Sequence, residues 1–389
     1  MPNRWILPDG IADALPCMAN KIENLRRQIL DLFKSYGYLQ VITPHIEFVE
    51  SLLTDAKKDL DLYTFKVADP ISGKMLGFRA DITPQVARID AHNLKSSSVN
   101  RLCYIGSIIH TKARGLTTTR CPIQVGAELY GDDTLHADLE IICLMLNTLD
   151  SLHIKNIHLE LAHIGIFQDL ISKVQISQPL KQEIFKALQH KDFSALTELT
   201  TSLPNYVNHN IKVLTYLCGD IDVLEQAKLE FKNPPQQVTA HLAKLSHIAA
   251  CLQNRYPNLP LHFDLAESRG FHYHTGLLFA AFVPQLGQAL AQGGRYDGIG
   301  AAFGTDRPAT GFSADLKTLV TLIDDPLKQK NNKIWASFTE DITLWNEICK
   351  LRLQGECVIQ AHCKNEAKIA GCTHKLIFTA NKWQVMPLL

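Results

Sequence analysis

No stretch of this chain approaches the roughly 18 consecutive apolar residues that a membrane span requires. The first residues, MPNRWILPDGIADALP, lack the long apolar core of a secretory signal. Net charge is missing too. Lys+Arg and Asp+Glu both number 39 among 389 residues, so the chain carries no overall basic footprint for nucleic acid, although a local patch is not excluded. Its ten cysteines form no CxxC pair, which argues against a disulfide framework and for reduced thiols in the cytoplasm. No Walker-type phosphate loop occurs, and GIGAAFG at Gly298 to Gly304 does not fit the dinucleotide-binding spacing. What remains is an ordinary globular composition, 46% hydrophobic and 20% charged, in a chain long enough for two or three domains.

The most informative stretch is Arg101 to Gly131, RLCYIGSIIHTKARGLTTTRCPIQVGAELYG. It reads as a long β-hairpin whose first arm, Leu102 to His110, is apolar and β-rich. The second arm, Pro122 to Tyr130, alternates: Ile123, Val125, Ala127 and Leu129 share one face, and Gln124, Gly126, Glu128 and Tyr130 the other. The connecting loop carries Lys112, Arg114, Arg120 and three threonines. Four strand residues span roughly 13 Å. Gln124 and Glu128 would therefore flank a notch at Gly126, with an amide at one end and a carboxylate at the other. The plain alternative is a half-exposed strand whose polar residues face water.

Before the hairpin, Ile22, Leu25, Ile29, Leu32 and Tyr36 recur at helical spacing, with Gly37 as the C-cap. GYLQVITPHIEF, Gly37 to Phe48, is a strand interrupted at Pro44, which favours an edge or a subunit interface. Two short strands follow between Phe65 and Arg79. Then comes a helix with Thr83 at the N-cap and Pro84 at N1. After the hairpin the pattern predicts a helix from about Asp133 to Asp150 and a strand from Ile157 to His163. From about 166 to 256 strand signals vanish, and short helices are punctuated by Pro179, Pro204, Gly219 and Pro234-Pro235. One of them starts on a capping-box-like Asp222 and Glu225. Strands return at Leu261 to Ala266 and Thr275 to Val283, and Arg307 to Val320 is a strand running into a helix. DDPLKQKNNK marks a linker. The layout is α+β, a mostly antiparallel core over 1–325 with a helical insertion, followed by a small α/β region over 331–389.

Three further clusters bear on chemistry. ESRGFHYHTG, Glu267 to Gly276, offers Arg269 as a bidentate grip for a carboxylate or phosphate. His272 and His274 share a face on a strand, yet nothing nearby completes a metal set. His362, Cys363, Cys372 and His374 are spaced too irregularly to define one, so no metal site is assigned. GGRYDG, Gly293 to Gly298, reads either as a flexible loop closing on a ligand or as a plain glycine turn.

Taken together, FRADITP at Phe78 to Pro84, the hairpin with QVGAE, RGFHYHTG, and GGRYDG followed by TGF resemble the histidyl-tRNA synthetases, in order, over roughly residues 5 to 320. GYLQVITPHIE looks like the first, dimer-forming motif of that class. The resemblance implies a class II aminoacyl-tRNA synthetase-like fold: a six- or seven-stranded antiparallel sheet flanked by helices. It also implies a histidine pocket in which Asp81, Thr83 and Gln124 hold the amino group and Glu128 reads the imidazole. Arg269 would lie near the substrate carboxylate, and Tyr273 keeps one of two adjacent tyrosines, the second being His274 here.

The departures decide the function. By the same resemblance, the arginine that grips the α-phosphate of ATP falls on His110 and the neighbouring glutamate on Lys112. The arginine on the γ-phosphate falls on Thr318. Imidazole is mostly neutral near pH 7 and lacks the guanidinium fork. The tail is shorter than an anticodon-binding domain. A synthetase-like chain that keeps the histidine pocket but loses ATP and anticodon binding resembles the regulatory subunits of ATP phosphoribosyltransferase. That resemblance implies no chemistry of its own, no cofactor and no tRNA. It implies a homodimer inside a hetero-oligomer (a hetero-octamer) with the short-form catalytic subunit, and L-histidine as feedback effector. The competing readings are a divergent histidyl-tRNA synthetase and a synthetase-like protein serving another process.

Overall fold

A computed structural model describes residues 5–53, 60–113, 119–267, 274–323 and 333–388. The chain forms two compact units, Met1–Ile323 and Asp324–Leu389.

The first unit opens with helix α1 (Pro16–Ser35), whose Ile22, Leu25, Ile29 and Phe33 form its buried stripe. Gly37 ends it at φ +82°, a conformation open to glycine. Strands β1 (Leu39–Gln40) and β2 (Ile46–Phe48) follow, then helix α2 (Val49–Leu52), strands β3 (Lys66–Ala68) and β4 (Met75–Phe78), and helix α3 (Thr83–Arg88). The long hairpin is β5 (Asn100–Ser107) and β6 (Ile123–Tyr130), leading into α4 (Leu135–Ser151) and β7 (His158–His163). Helices α5 (Gly165–Leu170), α6 (Gln178–Gln189), α7 (Phe193–Leu199) and α8 (Asn205–Leu214) come next, then β8 (Cys218–Gly219), α9 (Asp222–Glu230) and α10 (Gln236–Arg255). Strands β9 (Leu261–Asp264), β10 (Leu277–Phe282), β11 (Ala291–Arg295) and β12 (Ala309–Asp315), with α11 (Leu316–Thr321), close the unit.

The main sheet has nine strands in the order β1-β5-β6-β12-β11-β10-β7-β9-β8, where six or seven were expected. The extra strands are the two-residue β1 and β8. β8 lies inside the helical insertion, where no strand was expected, because two residues of pairing leave no periodic signal. β1–β5 and β7–β9 are parallel, and the pairings from β5 through β7 are antiparallel. The Gly37 to Phe48 segment is not one strand. β1 sits at the edge of the main sheet, while β2 joins β4 and β3 in a separate three-stranded sheet. Leu39 and Ile42 are 70% and 86% exposed on this edge.

Three local readings are corrected. Thr83 is the first helical residue and Ile82 the N-cap, with no side-chain cap; Asp81 instead accepts from the Thr83 amide. Asp222 and Glu225 make no capping box. Asp222 lies inside its helix, and Glu225 pairs with Lys228. Gly293 and Gly294 are strand residues of β11, not a flexible loop. A Cβ on Gly293 would stand 2.1 Å from the Gly311 carbonyl oxygen and 2.7 Å from the Phe279 ring. Close strand approach, not loop freedom, selects glycine there.

Two buried ion pairs tie distant segments together. Arg295 on β11 meets Asp138 on α4 at 2.9 Å, and Arg307 meets Asp90 at 3.0 Å. Removing one partner of such a pair leaves a buried charge uncompensated.

The second unit has strands β13 (Lys333–Ser337), β14 (Cys357–Ala361), β15 (His374–Thr379) and β16 (Lys382–Pro387) with helices α12 (Ile342–Leu353) and α13 (Lys364–Ile369). The sheet order is β14-β13-β15-β16, packed around Ile334, Ala336, Leu344, Ile348, Val358 and Leu376. Ala380 and Asn381, both at positive φ, make the two-residue turn between β15 and β16. Among the described residues no helix is long and apolar enough to cross a membrane.

Gly293→Ala is expected to lower the unfolding free energy by about 1–3 kcal/mol, because the backbone of β12 must shift to admit a methyl group. Urea denaturation followed by fluorescence measures it. An unchanged midpoint and slope would show that the strands part freely.

Candidate functional site

The pairing rows of the main sheet build the floor of the site. Directly paired residues point to the same face. Glu128 pairs with Gly311, and Gly311 with Gly294. Gly126 pairs with Tyr104 and Ser313, and Ser313 with Gln292. Gln124 pairs with Gly106 and Asp315. Small residues on these rows leave depth above the floor. A cavity of about 750 Å³ lies there, lined in part by Asp81, Thr83, Gln124, Glu128 and Tyr296, within the size range of ligand pockets. Gln124 and Glu128 are buried, Glu128 to 1% exposure, so the plain reading of a strand facing water fails.

Glu128 is held by two phenols. Tyr104 donates to Oε1 at 3.0 Å, and Tyr296 donates to Oε2. Tyr104 has one proton and gives it to Glu128, so Thr83 Oγ1, 3.1 Å away, donates to the Tyr104 oxygen. At the other end, Gln124 is fixed from both sides. Its amide nitrogen donates to Asp81 Oδ1 at 2.8 Å and its oxygen accepts from the Ile82 amide at 2.8 Å. Asp81, Thr83, Gln124 and Glu128 thus form one connected polar set in the cavity wall.

Burial pushes the Glu128 carboxyl up to about 8. The Tyr296 and Tyr104 hydroxyls pull it down, and the Asp81 charge pushes it further up. Burial and the facing Glu128 charge hold the Tyr104 phenol well above its ordinary value.

The open notch expected at Gly126 is filled. A Cβ there would stand 2.4 Å from the Tyr104 hydroxyl and 2.5 Å from its ring, so Gly126 makes room for Tyr104 rather than for a ligand. Gly311 does the same for Glu128, whose Oε2 lies 1.6 Å from the place a Cβ would take.

Of the three departures from the synthetase pattern, two line the cavity: His110 and Thr318. His110 is buried, and its Nε2 lies 2.9 Å from the Ala80 carbonyl, which only accepts, so Nε2 carries the proton. Thr318 Oγ1 donates to Asp315 Oδ2 at 2.9 Å in the first turn of α11. Lys112 is exposed, with Nζ 5.3 Å from the centre of the Tyr63 ring. Among the described residues the cavity lining holds five carboxylates, those of Asp81, Glu128, Glu160, Glu267 and Asp315, and no lysine or arginine. Such a lining does not favour a polyphosphate.

Arg269 and Tyr273 lie outside the described residues, as does His272 of the candidate metal pair. Among the described residues no group of three His, Cys, Asp or Glu side chains is placed to hold a metal ion. Sequence reasoning missed Tyr104 and Tyr296. The hairpin register carried the signal for Tyr104, which falls opposite Gly126 once Ser107 pairs with Ile123. Tyr296 had no local signal, because its role depends on β11 lying two strands from β6.

Sheet order, hairpin and buried carboxylate define a histidyl-tRNA synthetase-like protein. The family model described as histidyl-tRNA synthetase matches residues 10–319. A second, described as the ATP phosphoribosyltransferase subunit HisZ C-terminal domain, matches residues 331–386. The chain belongs to the family of ATP phosphoribosyltransferase regulatory subunits. It is 51% identical over 389 residues to the ATP phosphoribosyltransferase regulatory subunit of Ectopseudomonas mendocina, covering 99% of this chain and 98% of that one. Among solved structures it is similar to an ATP phosphoribosyltransferase regulatory subunit/histidyl-tRNA synthetase from Bacillus halodurans. The TM-score is 0.80 at 25% identity, covering 92% of this chain and 93% of the other. A histidyl-tRNA synthetase from Nostoc sp. PCC 7120 shares the fold, with TM-score 0.74 at 17% identity, covering 99% and 94%.

The raised pKa of Glu128 predicts a stability effect of known sign. The folded state keeps this proton to a higher pH than the unfolded chain, whose carboxyl ionises near 4.5. Stability is therefore lost as pH climbs from 4.5 to about 8, and the loss is constant above that. Glu128→Gln removes the titration. Across that window the variant should gain on the parent by up to about 1.36 kcal/mol per pH unit, read from urea unfolding at stepped pH. Parallel pH profiles would show that Glu128 ionises normally.

Proposed function

We propose that the chain is the histidine-sensing subunit of an ATP phosphoribosyltransferase assembly and performs no chemistry itself. The observation that carries this reading is the retained polar set around a buried Glu128, in a cavity whose two former phosphate positions now serve the protein's own backbone and helix cap. Asp81, Thr83 and Gln124 take the amino group of free L-histidine, and Glu128 takes the imidazole. Arg269 takes the carboxylate, and Tyr273 adds to the imidazole end. No cofactor and no tRNA take part. The working form is a homodimer through the Gly37 to Phe48 segment, joined with the short-form catalytic subunit in the cytoplasm, as a hetero-octamer. A divergent synthetase is disfavoured, because a buried imidazole bonded to the Ala80 carbonyl and a threonine bonded to Asp315 stand where the resemblance expects two phosphate-binding guanidiniums. Losing such transition-state contacts costs about 3–4 kcal/mol each.

Proton bookkeeping sharpens the reading. In the empty pocket Glu128 is mostly protonated at pH 7, while free imidazole, with a reference pKa of about 6.5, is mostly neutral. Binding passes the proton from carboxyl to ring and leaves a carboxylate–imidazolium pair. Near pH 7 no proton is exchanged with solvent. Below about 6 both partners arrive protonated and one proton is released, whereas above about 8 one is taken up.

Calorimetry in buffers of different ionisation enthalpy should show this reversal of sign. Glu128→Gln should abolish it and weaken histidine binding by about 1–3 kcal/mol, the scale of a charged hydrogen bond. A variant that binds and responds to histidine like the parent would move the effector site elsewhere.

Activity and assembly give two more checks. The purified chain should show no histidine-dependent exchange between pyrophosphate and ATP. Sedimentation should give a dimer alone and a larger mixed assembly with a short catalytic subunit. A monomer indifferent to that subunit refutes the proposed assembly.

A further inference from the structure

Arg79 is a buried cation of unusual setting. It is 5% exposed, and its side-chain hydrogen bonds go to neutral oxygens. Nε donates to the Ser107 carbonyl at 2.8 Å. Nη1 donates to the carbonyl and hydroxyl of Thr43, both at 2.8 Å, and to the Pro44 carbonyl at 3.4 Å. Among the described residues no carboxylate pairs with it and nothing accepts from Nη2. Glu47, which acts on it electrostatically, is already committed to Gln85 and Arg88. Gly106 lets the group in, since a Cβ there would stand 2.6 Å from Nη2.

This guanidinium lines a second cavity, of about 240 Å³, between α1, the Gln40 to His45 corner and β5. Arg26, His45 and Gln40 line it too, and among the described residues it has no acidic lining. Arg26 is partly exposed and only loosely paired, 3.5 Å from Glu23. Tyr104 and Ile82 form part of the wall, so the Glu128 phenol separates this cavity from the larger one. A buried cation with an unspent donor, facing a half-open pocket lined by further donors, is complementary to an oxyanion.

We infer that this cavity is an oxyanion-binding site, in which Arg79 Nη2 and Arg26 hold a small anion of phosphate or carboxylate type. The anion comes either free from solution or as a carboxylate of a second copy, because the Gln40 to His45 corner lies on the exposed β1 edge.

The test uses the full chain and inorganic phosphate. At matched ionic strength, phosphate should raise the melting temperature above the level chloride gives, in a saturable manner. Arg79→Met risks unfolding the corner, so Arg26→Gln and His45→Gln carry the test. Arg26→Gln should weaken phosphate binding at least fivefold, and His45→Gln more modestly. Sedimentation separates the two sources. With a free anion, phosphate leaves the oligomeric state unchanged. With a carboxylate from a second copy, phosphate competes and drives the chain towards monomer, and Arg26→Gln weakens the dimer. If phosphate acts like chloride and Arg26→Gln changes neither melting nor association, the inference is overturned.

Discussion

Burying one carboxylate constrains much of the main sheet. Glu128 sits at 1% exposure in the middle of a nine-stranded sheet, where an unpaired charge is costly. The fold answers by bringing a hydroxyl to each oxygen, one from β5 and one from just past β11. It also removes the side chain at the paired position, Gly311, so that the carboxylate has room. Even so, burial keeps the group protonated to about pH 8.

The same constraint explains which features were legible in the sequence. The two faces of the hairpin followed from a period of two, and Gln124 and Glu128 were placed together on that ground alone. That this polar face is covered could not be read from it. Burial depends on β12, α3 and Tyr296, which come from three other parts of the chain. Gly126 was read as space because a glycine has no side chain. In fact Tyr104, its partner across the hairpin, occupies that space. Gly293 and Gly294 read as a loop for the same reason, while the carbonyls of the flanking strands, Gly311 on β12 for Gly293 and Leu277 on β10 for Gly294, leave no room for a side chain. Each error is non-local: what a glycine is for depends on what lies opposite.

Helical segments were easier. Proline punctuation located the insertion, and the stripe on α1 was clear apart from Phe33 standing in for Leu32. The two-residue strand β8 left no trace, and β1 was read only as part of a longer strand, since pairing of that length is set entirely by neighbours. The interruption at Pro44 was visible, but its consequence was not: the chain leaves one sheet there and enters another, with Arg79 holding the corner.

His110 and Thr318, where the synthetase resemblance expects arginines, both make contacts of their own. His110 turns its ring nitrogen to the Ala80 carbonyl, and Thr318 donates to Asp315, whose carboxylate caps α11. An arginine at either place would carry a charge into a wall that now has a neutral local partner or a helix cap. An arginine at either position would therefore compete with contacts the present fold uses. The polar set around Glu128 and the contacts of His110 and Thr318 are physically separable for this reason. The first is a connected network centred on β6, and the others lie just past β5 and in the first turn of α11. The two can diverge without disturbing the sheet that positions both.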